Sequence, residues 1–106
     1  MAKPVELRHV ASQDIDDAVA YYVAEADNEV ATGFIADLRE ALSHLADHPL
    51  SGSLRWSYEL EIPELRHWPL QRFPYIVFYV DRDSAVDVWR VLHARRDIPA
   101  WLTPSG

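Results

Sequence analysis

The residues of this chain with the strongest potential for chemistry are Arg72 and the group His93, Arg95 and Arg96. Arg72 precedes one predicted strand and His93 closes the next, and an antiparallel pair brings such ends near each other. Cleavage of an RNA backbone would need a base for the ribose 2′-hydroxyl, cations for the charge on phosphorus and an acid for the leaving oxygen. Only His93 titrates near neutral pH. Arginine cannot act as the base because it stays protonated in proteins. One histidine beside arginines is an incomplete catalytic set. The same residues suit two plainer roles. Arg95, Arg96 and Asp97 can form a local ion-pair cluster at a strand end, or the arginines can bind an acidic segment or target surface of a partner.

The other reactive types carry less. His44 and His48 are four apart on a predicted helix, a spacing that can hold a metal, but no third ligand stands at an obvious position. His9 and His67 read as surface or strand residues. Trp68 and Trp89 fall inside strands and suit packing. Trp56 and Trp101 lie in less regular segments and are candidate interface anchors. Glycines occur only at 33, 52 and 106, so no glycine-rich phosphate loop is possible. No Ser-x-x-Lys, Gly-x-Ser-x-Gly or His-Glu-x-x-His pattern is present, which leaves the usual nucleotide, hydrolase and metalloprotease chemistries unsupported.

Composition bounds the partners. The chain has 106 residues, 49% hydrophobic and 25% charged, an ordinary balance for a single globular domain. It has no cysteine, which excludes disulfides, thiolate zinc sites and a cysteine nucleophile, and fits a reducing cytoplasm. Lys3, Glu6 and Arg8 interrupt the N-terminus where a signal peptide would need an apolar run. Phe73 to Val80, the longest uncharged apolar stretch of the second half, is far short of the roughly 20 residues of a membrane helix. The formal net charge is −7, and all of that excess lies in residues 1–53; residues 54–106 balance seven arginines against seven acids. A net acidic chain is not built for general nucleic-acid steering.

These residues must be positioned by a small set of elements. Val5 and Leu7 alternate with Glu6 and Arg8 as a short first strand. Ser12 is a plausible N-cap for a helix over about 12–26, whose apolar face would be Ile15, Val19, Tyr22, Val23 and Ala26. Asp27-Asn28 leads into a second helix over about 29–47 with the stripe Val30, Phe34, Leu38, Leu42 and Leu45. Gly33 within it suggests close contact with the first helix. His48-Pro49 ends it. Leu65–Leu70, Tyr75–Val80 and Val86–Leu92 read as strands, with Pro74 at a strand start and a hairpin turn at Asp81–Ser84. Ile98–Leu102 is apolar enough to dock on the sheet. The prediction is one α+β domain over residues 1–102, ordered β-α-α-β-β-β, with an antiparallel sheet and an α-hairpin packed on one face. Residues 103–106 are expected to fray.

In that order, Tyr21-Tyr22 on the first helix, His48-Pro49-Leu50-Ser51-Gly52 after the second, the block Arg72–Tyr79 and the block Val91–Pro99 form a recognisable series. With them the chain resembles ParE-type toxins of the RelE/ParE superfamily, the toxin half of type II toxin–antitoxin (plasmid stabilisation) modules. The resemblance covers nearly the whole chain. It implies a ParD-like antitoxin whose C-terminal segment wraps the toxin in a hetero-oligomer, and DNA gyrase as the target of the free toxin. RelE-like relatives instead cut ribosome-bound mRNA, and on that alternative Arg72, His93 and Arg95 would be the catalytic residues. A third alternative is a degenerate, non-toxic domain that still binds antitoxin. Ribosome-directed toxins are usually basic, and this chain is acidic. The expectation is therefore a cytoplasmic gyrase inhibitor that works by binding, without cofactor, metal, membrane or direct nucleic-acid contact. Its candidate partner contacts are Arg72, His93, Arg95, Arg96, Trp56 and Trp101.

Overall fold

The first strand runs straight into the first helix. β1 (Val5–Leu7) ends where the Arg8 amide donates to the Val88 carbonyl, and α1 (His9–Glu25) starts at the next residue. Arg8, not Ser12, is the N-cap, and it offers no side-chain cap bond. The predicted start is late because the strand-end hydrogen bond fixes the entry into the helix. α1 buries Ala11 and Ala18 and packs Ile15, Val19 and Tyr22 against the core, while Val23 of the predicted stripe is exposed. α2 (Asn28–Asp47) begins as the sequence suggests, with the Asp27 carboxylate accepting from the Val30 amide at 2.8 Å, a cap worth about 1 kcal/mol. Phe34, Leu38 and Leu45 are buried along it. Fully burying such a side chain contributes about 1.5–3 kcal/mol.

The computed structural model describes residues 2–102, so the expected frayed tail at 103–106 lies outside the described residues. After α2 the chain makes a short helix, α3 (Arg55–Leu60), then β2 (Leu65–Pro69), β3 (Tyr75–Asp81) and β4 (Val86–His93), and closes with α4 (Ile98–Leu102). β2, β3 and β4 pair antiparallel, as predicted. β1 joins the far side of β4 in parallel, Val5 opposite Val86, giving the order β1-β4-β3-β2. The sheet is therefore mixed, not wholly antiparallel. A period-two pattern carries no strand direction, and a connection as long as the α-hairpin permits a parallel alignment. Lys3 reinforces this edge with an ion pair to Asp81 at 2.7 Å.

The α-hairpin covers one face of the sheet, as expected. Tyr75, Val77 and Tyr79 of β3 and Val86, Val88 and Val91 of β4 meet it there. The opposite face is also covered: Leu65, Phe78, Val80 and Leu92 pack with Ile98 and Leu102 of α4 and with Trp56 and Leu60 of α3. The apolar C-terminal segment docks as its composition suggests, whereas α3 falls in a stretch that reads as loop. Within β4 the ladder slips by one residue. Phe78 pairs with Arg90 but Tyr79 pairs with Val88, leaving Trp89 without a partner across the ladder.

Gly33 does not serve contact between the helices. A β-carbon there would meet the Phe73 ring at 3.6 Å, an ordinary van der Waals distance. Gly33→Ala should therefore stabilise the fold by about 1 kcal/mol, the helix-propensity difference. Urea denaturation would measure it, and a loss of stability would show that the aromatic packing of Phe73 tolerates nothing more.

Candidate functional site

The end of β4 lines a cavity against α1. β3 and β4 align Tyr75 with His93, and the chain then turns sharply, with the Ala94 amide donating to Pro74 and the Arg96 amide to the His93 carbonyl. The Arg95 amide donates to His93 Nδ1 at 3.0 Å. That bond makes Nδ1 an acceptor, so the neutral ring carries its proton on Nε2. Arg96 lies over the Trp101 ring at 4.6 Å, and Arg90 reaches the same ring at 5.1 Å. The resulting cavity, of about 300 Å³, is lined by Asp14, Asp17 and Tyr21 from α1, Tyr75 and His93 from the sheet, and Arg96 and Trp101 from the C-terminal segment, among others.

A part-buried ion pair holds the walls together. Arg90 grips Asp14 with two bonds of 2.8 and 2.7 Å and also donates to the Trp101 carbonyl at 3.1 Å, while the Val91 amide donates to Asp14 Oδ2 at 3.0 Å. α1, β4 and α4 are thereby tied at one point. The bond to Asp14 raises the Arg90 pKa, against the opposing effect of burial.

His93, Arg96 and Trp101 come together at this cavity; the other candidates do not. Arg72 lies in the β2–β3 loop, three residues beyond the Tyr75–His93 pairing. Its amide and that of Phe73 donate to Asp37 Oδ2 at 2.8 and 3.0 Å, and its exposed guanidinium has no partner among the described residues. Arg95 points its charge near His93 but does not line the cavity. Trp56 is half-buried in the second core with Arg55 over its ring. Arg95, Arg96 and Asp97 form no ion pair with one another, because Arg96 is drawn instead to Trp101. His44 stacks on Trp68 and bonds Ser51 at 3.0 Å. Among the described residues no group of three or more His, Asp or Glu is placed to hold a metal ion.

Asp14 and Asp37 escape a reading for catalytic motifs, yet both had a signal. Asp14 shares the buried helical phase of Ala11 and Ala18, and Asp37 that of Phe34 and Ala41. An acid on a buried stripe requires a donor.

Burial, then the charges of Arg95 and Arg96, hold the His93 pKa below the ordinary histidine value. Burial, then Arg55, does the same to His67, whose Nδ1 is buried without a partner. Both rings take a proton less readily folded than unfolded, so stability is whole above the ordinary histidine range and falls as the pH drops through it. Asp87 adds a second loss at lower pH. Burial pushes its pKa up, but bonds from Arg8, Arg82 and Trp89 outweigh this and hold it below the ordinary carboxylate value. Its contribution is present above that value and is lost as the pH falls through the depressed one. Melting temperatures from about pH 8 to about pH 5 should therefore decline, and NMR should show the Nε2–H tautomer for His93. A flat melting profile would contradict both histidine assignments.

No helix of the described residues is long and apolar enough to cross a membrane. No curated protein sequence matches the chain. Its fold is similar to a solved chain of the chromosomal ParDE TA system from P. aeruginosa, with a TM-score of 0.72 and 19% identity, covering 87% of this chain and 96% of that one. The family model for the ParE toxin of the type II toxin–antitoxin system, parDE, matches residues 5–98. The chain belongs to that ParE toxin family.

Proposed function

We propose that this ParE-family toxin acts by binding: it inhibits DNA gyrase through protein–protein contact in the cytoplasm and is held inactive by a ParD-like antitoxin. The observation that carries this reading is the acidic wall of the cavity. His93 and Arg96 face a space whose other side is Asp14 and Asp17, in a chain of net charge −7. A phosphate backbone binds through a series of cationic contacts along its length. With Asp14 already paired to Arg90 and Asp17 exposed at the rim, the cavity offers Arg96 as its one unpaired cation among the described residues. That is enough for a single anionic group and not for a run of phosphates. His93 is also an unfavourable general base, since Arg95 occupies its free Nδ1 lone pair. Induced toxin should block gyrase supercoiling and cause double-strand breaks while cellular mRNA stays whole. Supercoiling assays and primer extension on the same cultures test this. Codon-positioned mRNA cuts that disappear in His93→Gln, with supercoiling untouched, would overturn it in favour of a nuclease.

A further inference from the structure

We propose that the cavity between α1 and the end of β4 receives one carboxylate side chain of the antitoxin, with Tyr75, His93 and Arg96 as its hydrogen-bond donors. The inference rests on the toxin–antitoxin reading and adds the chemistry of the contact. Tyr75 is only 9% exposed, and its hydroxyl makes no hydrogen bond among the described residues, although it lines this cavity. The hydroxyl is open to the cavity rather than sealed in the core, so it can donate to a ligand atom that enters there. His93 presents a second free donor, Nε2–H, because Nδ1 is already engaged by the Arg95 amide. Arg96 is the third. It has no carboxylate partner among the described residues and is held over the Trp101 face at 4.6 Å, which orients a guanidinium without neutralising it.

Three donors without a matching acceptor call for a group that only accepts. A carboxylate does so through two oxygens, and charge-assisted bonds to it are the strong ones. The opposite wall limits the ligand to a single negative charge. Asp14 is consumed by Arg90, and Asp17 is exposed on the rim, where it repels a second anionic group. Tyr21, 57% exposed, and Trp101, 41% exposed, stand among the lining residues, and aromatic residues of this kind are enriched where proteins meet. Those two facts favour an acidic side chain on a polypeptide over a polyphosphate.

The test is calorimetry of this toxin with its cognate ParD-like antitoxin. Tyr75→Phe and Arg96→Gln should each weaken binding by about tenfold, the worth of one good hydrogen bond to a charged group. Tyr75→Phe should leave the melting temperature unchanged or slightly higher, since the hydroxyl it removes holds nothing in the free protein; a purely structural tyrosine would lower it. Among antitoxin variants with single Asp→Asn or Glu→Gln changes, one should lose the same affinity for wild-type toxin and lose nothing further against Arg96→Gln. If wild-type toxin binds and both folded toxin variants bind within about twofold of it, less than one weak contact is worth, the carboxylate pocket is wrong and the toxin–antitoxin reading stands. If folded wild-type toxin does not bind at all, the reading beneath it fails too. Loss of a single-stranded RNA oligonucleotide, rather than of antitoxin, in the two variants would reassign the donors to phosphate and overturn the proposal.

Discussion

Gly52→Ala should destabilise the protein by about 3 kcal/mol, the upper end of what overpacking a filled site costs. A β-carbon at Gly52 would stand 2.5 Å from the Tyr79 hydroxyl oxygen, 2.8 Å from its ring and 3.0 Å from Arg66 Cβ. None of these can yield easily. Tyr79 is fully buried, and its hydroxyl accepts from the Gly52 amide at 2.9 Å and donates to the Pro49 carbonyl at 2.7 Å. Arg66 donates to the carbonyls of Leu50 and Gly52 at 3.2 and 2.8 Å. The segment after α2 is thus wound around one phenol and one guanidinium. Burial raises the Tyr79 pKa, more than the Gly52 bond lowers it, so the hydroxyl keeps the proton it donates. Tyr79→Phe should cost about 1–3 kcal/mol, because it strands the Gly52 amide and the Pro49 carbonyl. Denaturant titration of both variants measures this. Wild-type stability in Gly52→Ala would mean that the segment moves freely and the close approach is incidental.

Asp14→Ala should cost about 3 kcal/mol, the low end of the penalty for leaving one member of a buried ion pair alone, since this pair is part-buried. The side chains of Asp14 and Arg90 are 11% and 14% exposed, so little water is available to replace the lost carboxylate. The Val91 amide loses its acceptor in the same step. Replacing Asp14 by Val together with Arg90 by Met should recover a large part of the loss, because both charges then leave the interior. Chemical denaturation of the wild type, both single variants and the double variant forms the required cycle. A cost below about 1 kcal/mol for Asp14→Ala, the range of surface pairs, would show that this pair is effectively solvated.

Much of this architecture is written in local patterns, and the remainder is not. The stripe Phe34, Leu38, Leu45 and the β-branched run Tyr75–Val80 identify α2 and β3 because burial follows their period. β4 shows why a site is harder to read. Val86 and Val88 share the α-hairpin face, and strict alternation would put position 90 there, not 91. The unpaired Trp89 shifts the phase, so that Val91 packs on that face and His93 lines the cavity beside α1. A bulge re-aims side chains in this way. The spacing Val86, Val88, Val91 carries its trace, but the partner register that confirms it lies on another strand. Arg72 was separated from His93 by a comparable non-local cause: Asp37, on α2, binds the loop that presents it. Neither Trp56 nor α3 could be placed from sequence because the cluster that holds them is assembled from five elements, α3, β2, β3, β4 and α4.

The pairing of the first strand with the last also governs when this toxin comes into being. Lys3 with Asp81, Arg8 with Asp87 and Arg90 with Asp14 close contacts across 78, 79 and 76 positions of the chain. Contacts of that separation form slowly, after the local helices. During synthesis the α-hairpin is complete while β3 and β4, which its apolar face must cover, have yet to emerge, so the nascent chain carries an open hydrophobic surface. The sheet closes only once His93 has been made. A truncation within β4 therefore leaves only the β2–β3 pair and removes the strand that joins β1 to the rest of the sheet, so the α-hairpin loses half of the surface it closes on.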